Sequence, residues 1–183
     1  KVNFTMIFDY EPLFESDRQG FVSIAGDLLG TGTKNRTKDQ INEEIDFIGA
    51  SLNFSSGGFN ASCLTRHSEK LMEVIGDVLS NSVFTQEELD KSRKQFISGL
   101  AAEKKDPGAI SERVSKVLMF GKNHPYGQVI TEKILENITL DNCTDFYKNY
   151  VRPNISYLAI VGDITLAEAK TLCEKHLASW QSL

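Results

Sequence analysis

The order in which two hydrophobic periods succeed one another along this chain limits its fold more than any other feature. Val2, Phe4, Met6, Phe8 and Tyr10 alternate with Asn3, Thr5, Ile7 and Asp9, a period of two that predicts a strand over 2–10 with one well-buried face. Glu11-Pro12 ends it. Two helical stripes follow before any second strand. Phe21, Ile24, Ala25, Leu28 and Leu29 recur at spacings of three and four, which predicts a helix stopped near Gly30 to Gly32. Thr37-Lys38-Asp39-Gln40 then has the form of a cap opening a second helix, with Ile41, Ile45 and Ile48 on its stripe and Gly49 as its break. Only afterwards do the runs 51–56 and 59–65 flank Gly57-Gly58 as the arms of a β-hairpin.

The second half repeats the block pattern. Leu71, Val74, Ile75, Val78 and Leu79 predict a helix over 68–79, and Thr85 with Glu87 and Glu88 opens a longer one that Gly99 interrupts and Asp106-Pro107 ends. Pro107 begins a helix through Phe120, His124-Pro125-Tyr126-Gly127 is turn chemistry, and Thr139 opens a helix through Tyr147. Tyr157 to Val161 is a nearly continuous apolar run suited to an interior strand, and Leu166 to Leu177 forms the last helix. Helices and strands in blocks, without strict βαβ alternation, point to an α+β fold in which an antiparallel or mixed β-sheet carries helices mainly on one face. A length of 183 residues fits a single domain.

Composition removes several function classes. With 40% hydrophobic residues the chain can build a core, so intrinsic disorder is excluded. No apolar stretch reaches the roughly 18 residues of a membrane span. A net charge of -5 without a basic block argues against nucleic acid as a partner. Cys63, Cys143 and Cys173 are too few and too scattered for a disulfide scaffold or a four-ligand zinc cluster. The compartment stays open, with bacterial periplasm or cytoplasm as candidates.

Local candidates for chemistry are sparse. His67, His124 and His176 have no second histidine four residues away, and Cys173 and His176 share a helix face without a matching second pair. The carboxylates of Glu15 to Arg18 and the Glu43-Glu44-Asp46 group read as solvated faces, because nothing in the sequence raises one pKa and not its neighbour's. Seven Asn-x-Ser/Thr sequons begin at Asn3, Asn35, Asn53, Asn60, Asn137, Asn142 and Asn154. Several fall on segments expected to be strand or buried, where a glycan would not fit.

One stretch carries more information. The run from Gly20 to Thr33, with its Gly-Thr ending, resembles the first helix of the insulinase and pitrilysin metallopeptidase family, which includes the mitochondrial processing peptidases. Gly49-Ala50-Ser51-Leu52-Asn53, Phe84 to Leu89, Asp106-Pro107, His124 to Gly127, Tyr147 to Asn154 and Val161-Gly162-Asp163 are similar to further family landmarks in the same order. Active members carry H-x-x-E-H on that helix, where residues four apart let two imidazoles hold one zinc while the glutamate activates its water. The resemblance places Ser23 and Asp27 at the two histidines, Gly26 at the glutamate, and Gly99 at or next to the glutamate that supplies the third ligand. It therefore implies that this chain holds no zinc and hydrolyses nothing alone, with zinc expected only in a catalytic partner.

The resemblance further implies a non-catalytic subunit or domain of a peptide-processing assembly, paired with a catalytic or degenerate family partner around an extended peptide. Asn53, Phe54, Ser55 and Ser56 match the edge strand on which active members hold substrate, and are the expected peptide-binding residues. An ordinary hairpin arm with Phe54 in the core is the competing reading. Lys91, Arg93, Lys94, Lys104 and Lys105 on the long helix could meet a partner, although a solvated face explains them. Two rival functions stay open: an active zinc endopeptidase with misaligned or borrowed ligands, and a scaffold without a peptide groove. The family's first domain continues with further strands, so the chain is expected to be a C-terminally truncated fragment of a two-domain protein that self-associates through exposed apolar sheet.

Overall fold

A computed structural model describes residues 1–181. Its element order is β1 (Val2–Phe8), α1 (Phe21–Leu28), α2 (Lys38–Phe47), β2 (Ser51–Ser55), β3 (Gly58–Cys63), α3 (Ser68–Asn81), α4 (Gln86–Glu103), α5 (Pro107–Phe120), α6 (Glu132–Leu135), α7 (Leu140–Tyr150), β4 (Ser156–Gly162) and α8 (Leu166–Leu177). The four strands form one antiparallel sheet in the order β2-β3-β1-β4. The expected α+β class and the blocks of elements are observed.

Strand alternation sorts the two faces. Val2, Phe4, Met6 and Phe8 are buried along β1 and Phe59, Ala61 and Cys63 along β3, and paired residues share a face. Against that face lies α3, whose Leu71, Met72, Val74, Ile75, Val78 and Leu79 are all buried. α8 packs on α3 so closely that a Cβ on Gly76 would strike the carbonyl of His176. Trp180 closes the core, with its indole N–H donating to the Val151 carbonyl at 3.0 Å. The opposite face is open, and the strand residues on it carry no charge: Asn3, Thr5, Asn53, Asn60, Ser51 and Ser62 lie beside Ile7, Tyr157 and Val161. Asn3, Asn53 and Asn60 are exposed there, as are Asn35, Asn137 and Asn154, so burial of the sequon asparagines is corrected.

Two backbone bonds decide which strand groups face outward. The Phe8 N–H donates to the Gly57 carbonyl at 2.9 Å, so Phe59, Ala61 and Cys63 bond β1 while Gly58, Asn60 and Ser62 bond β2. The N–H and C=O groups of Leu52 and Phe54 therefore point away from the sheet. At the other edge, the Asp9 N–H donates to the Ile155 carbonyl at 2.6 Å, which leaves Leu158 and Ile160 facing outward on β4. Among the described residues the apolar run 157–161 is thus an edge strand, where the sequence predicts an interior one. Its length of apolar sequence reflects an open face that is itself apolar here, with Tyr157 67% and Val161 66% exposed.

Several local signals act as the sequence predicts. Thr37 and Gln40 form a reciprocal capping box on α2, and Thr85 caps α4. Gly30 adopts φ +81° just past α1, the left-handed conformation of a helix stop. Gly127 has an ordinary φ, and the turn needs a glycine there because a Cβ would strike the Gly121 carbonyl. Glu15 is not a solvated carboxylate. It accepts from the backbone N–H groups of Gly20 at 2.8 Å and Val22 at 3.3 Å, and so caps α1 from outside the helix. Glu44 is likewise engaged, with Arg36 and Lys70. No helix of the described residues is long and apolar enough to cross a membrane.

Candidate functional site

Helix α1 presents Ser23 and Asp27 on one exposed face, as a four-residue spacing requires, while Gly26 is buried beneath them. The hairpin turn after β2 explains Gly26. A Cβ there would sit 2.8 Å from the Ser55 carbonyl carbon and from the Ser56 Cα, and closer still to the Ser56 nitrogen. Position 26 has no room for any side chain, because the backbone of Ser55 and Ser56 fills the space.

Asp27 faces α4, where the Ser92 hydroxyl donates to its carboxylate at 3.3 Å. Desolvation raises the Asp27 carboxyl above the ordinary aspartate value, and the Ser92 bond partly opposes this. Gly99 lies farther along α4 with nothing within 4 Å of where its Cβ would be. The four positions together offer one carboxylate, and catalytic zinc generally takes three protein ligands. Among the described residues no three His, Cys, Asp or Glu side chains group as a metal site. The residues present do not fit zinc.

What the structure builds at this place is a cleft along the free edge of β2. A volume of about 520 Å³ is lined by Asp27, Gly30, Ile41, Asp46, Leu52 and Phe54, among others. A second hollow of about 340 Å³, also bordered by Asp27 and Phe54, runs against Lys38, Glu88 and Lys91. The outward N–H and C=O groups of Leu52 and Phe54 belong to the same edge. The expected peptide-binding residues are divided accordingly. Phe54 offers its backbone to the cleft, while its ring packs 5.6 Å from the Phe59 ring and against Gly30. Asn53 and Ser55 spend their backbone groups on β3 and turn their side chains to the open sheet face. Ser56 lies in the turn, where its carbonyl accepts from the Tyr10 hydroxyl at 3.1 Å.

Leu52 was not expected as a peptide contact, and Asp46, read as part of a solvated face, lines the cleft. Alternation within β2 would have found Leu52 once the pairing of β3 was known. The basic residues of α4 mostly meet acidic neighbours: Lys91 pairs with Glu87 and Glu88, Arg93 with Asp90, and Lys104 with Glu132. Cys173 borders a groove between β4 and α8, whereas Cys143 is buried, its thiol pushed up to about 12 by desolvation.

Comparison with known proteins bears on this geometry. Residues 15–126 match the family model described as insulinase (peptidase family M16), and residues 137–183 match the model described as the peptidase M16 inactive domain. A Rickettsia bellii protein named as an uncharacterized zinc protease is 28% identical over 167 residues, covering 88% of this chain and 40% of that protein. Subunit 1 of the mouse mitochondrial cytochrome b-c1 complex is 22% identical over 158 residues, covering 83% of this chain and 33% of the subunit. The crystal structure of a peptidase M16 inactive domain from Pseudomonas fluorescens superposes with a TM-score of 0.85 at 17% identity, over all of this chain and 47% of that one. The chain thus spans less than half the length of each of these similar proteins.

Proposed function

Since this chain belongs to the insulinase (peptidase M16) family, we propose that it is a non-catalytic domain of a peptide-processing assembly, which holds an extended peptide along β2 and leaves hydrolysis to a zinc-bearing partner. The observation that carries this reading is the packing of Ser55 and Ser56 onto Gly26. Backbone fills the position that the resemblance matches to the water-activating glutamate of active relatives, which supports a loss built into the fold and more than one substitution deep. The same packing brings β2 to the end of α1 and creates the cleft. An added strand would bond Leu52 and Phe54, the pairing mode by which extended peptides extend a sheet. The M16 inactive-domain match supports a non-catalytic part, and the chain's share of its longer relatives supports a partner domain or subunit.

The test joins metal to binding. Purified protein is expected to contain no stoichiometric zinc by atomic absorption and to show no chelator-sensitive cleavage of peptides. Saturating extended peptide is expected to slow amide exchange at Leu52 and Phe54. Bound zinc with chelator-sensitive cleavage would establish the rival, an active peptidase with ligands misassigned or supplied by a second chain. Unchanged exchange at both amides would leave only a scaffold.

Among the described residues the other edge of the sheet is open as well. Strand β4 has the sequence Ser-Tyr-Leu-Ala-Ile-Val-Gly, without a charge or a proline to discourage pairing, and the groove beside it has a volume of about 670 Å³ lined by Leu158, Ile160, Ile164 and Ala169. Concentrated solutions are expected to self-associate through β4, and Ala159→Lys, on an exposed position of the strand, is expected to keep the protein monomeric. Light scattering that is strictly monomeric at every concentration would refute this.

A further inference from the structure

The charge around the β2 cleft is unbalanced in one direction. Its cations are already matched: Lys38 donates to Glu88 at 2.6 Å, and Lys91 to Glu88 at 2.8 Å and Glu87 at 2.9 Å. Its anions are not. Among the described residues Asp27 meets only the Ser92 hydroxyl, and the Asp46 side chain has no ion-pair partner. Both carboxylates also stand on the last turn of a helix, Asp27 on α1 and Asp46 on α2, and neither helix has a basic residue there. A helix C-terminus carries partial negative charge and favours cations, so each aspartate adds to a potential of its own sign.

The chain path sets these two groups at opposite ends of the outward-facing edge. Asp46 precedes the short link that leads into Ser51, and the Ala50 N–H returns to the Ile45 carbonyl at 3.0 Å. Asp27 follows Gly26, on which the far end of the hairpin arm rests. Between them lie the free N–H and C=O groups of Leu52 and Phe54. We propose that this cleft selects extended peptides with basic side chains, one held by Asp27 and the other by Asp46. The proposal rests on β2 as the peptide-binding edge and adds what that edge discriminates.

Calorimetric titration with three short peptides tests it. All share an alternating valine and threonine centre, flanked by lysine, by glutamine or by glutamate. The lysine peptide is expected to bind about tenfold more tightly than the glutamine peptide at low salt, as two partly exposed charge contacts would give. The ratio should shrink as salt is added, and the glutamate peptide should bind worst. Asp27→Asn and Asp46→Asn should each lower the lysine-to-glutamine ratio, whereas Glu43→Gln, which removes an exposed charge of α2 outside the cleft lining, should leave it. Equal binding of the three peptides would overturn charge selection while leaving the edge as a binding site. A Glu43→Gln effect as large as that of the aspartate variants would reduce the preference to net charge and also overturn it. Failure of every peptide to bind would remove the edge reading itself.

Discussion

Replacing Gly26 by alanine is expected to destabilise the protein by about 3 kcal/mol, the upper range for forcing atoms into a packed interior, and Gly26→Glu is expected to prevent folding. The added Cβ has nowhere to go. Its obstacles are the backbone atoms of Ser55 and Ser56, which are tied down by the β2–β3 ladder and by the Tyr10 hydroxyl on the Ser56 carbonyl. Relief requires the hairpin to lift away from α1, and that opens the contact between Phe54 and Gly30. Urea unfolding measures the change as a lower midpoint at constant slope. A midpoint equal to that of the unmodified protein would mean that the hairpin yields freely. The consequence for chemistry follows directly: the triple change Ser23→His, Gly26→Glu and Asp27→His rewrites the family motif, yet is expected not to seat zinc.

Removing the guanidinium of Arg36 is expected to cost about 3 kcal/mol, as breaking a buried ion pair does. Arg36 holds Asp77 at 2.8 Å and Glu44 at 3.1 Å, and also meets Glu73. The side chains of Arg36 and Asp77 are only 15% and 6% exposed, so Arg36→Ala leaves a carboxylate without its counter-charge on the inner surface of α3. Burial alone would raise the Asp77 pKa, but hydrogen bonds from Thr33, Arg36, Asn35 and Asn81 outweigh it and hold the group below the ordinary aspartate value. Glu73 is held below its usual range as well, burial being outweighed by Lys70 and Arg36. A folded-state pKa below the unfolded one gives stability that is complete above the unfolded value and disappears as pH falls through the folded value. Stability is therefore expected to be level near neutrality and to fall below about pH 4. Asp77→Asn should start lower and show a shallower acid limb. Parallel limbs in the two proteins, measured by thermal melts across pH, would show that this cluster does not govern acid unfolding.

Elements stabilised by local signals could be read from the residues alone. The Thr37 box, the Thr85 cap and the alternation of β1 use neighbours a few positions apart, and α8 runs over the expected Leu166 to Leu177. What depended on distant segments could not. The closeness of Gly26 to Ser56 joins residues on separate elements, so the resemblance implied a missing glutamate and not the backbone that fills its place. Glu15 looked solvated because its partners are backbone N–H groups, which leave no mark in side-chain patterns. The run 157–161 looked interior because apolar residues occupy both faces of β4, and only the strand order places it at an edge. Of the candidate peptide contacts, Phe54 keeps its place at the edge, whereas Asn53, Ser55 and Ser56 direct their backbone groups elsewhere.

The seat of β1 between β3 and β4 has a kinetic consequence. Val2 pairs with both Cys63 and Gly162, so β1 waits, with one flank bare, until β4 is made. At ribosomal rates of roughly 5 to 20 residues per second, that delay is on the order of ten seconds, far longer than the helices need to form. During synthesis the nascent chain is thus a set of ready helices around an unfinished ribbon, and chaperones that shield apolar strands would find their target there.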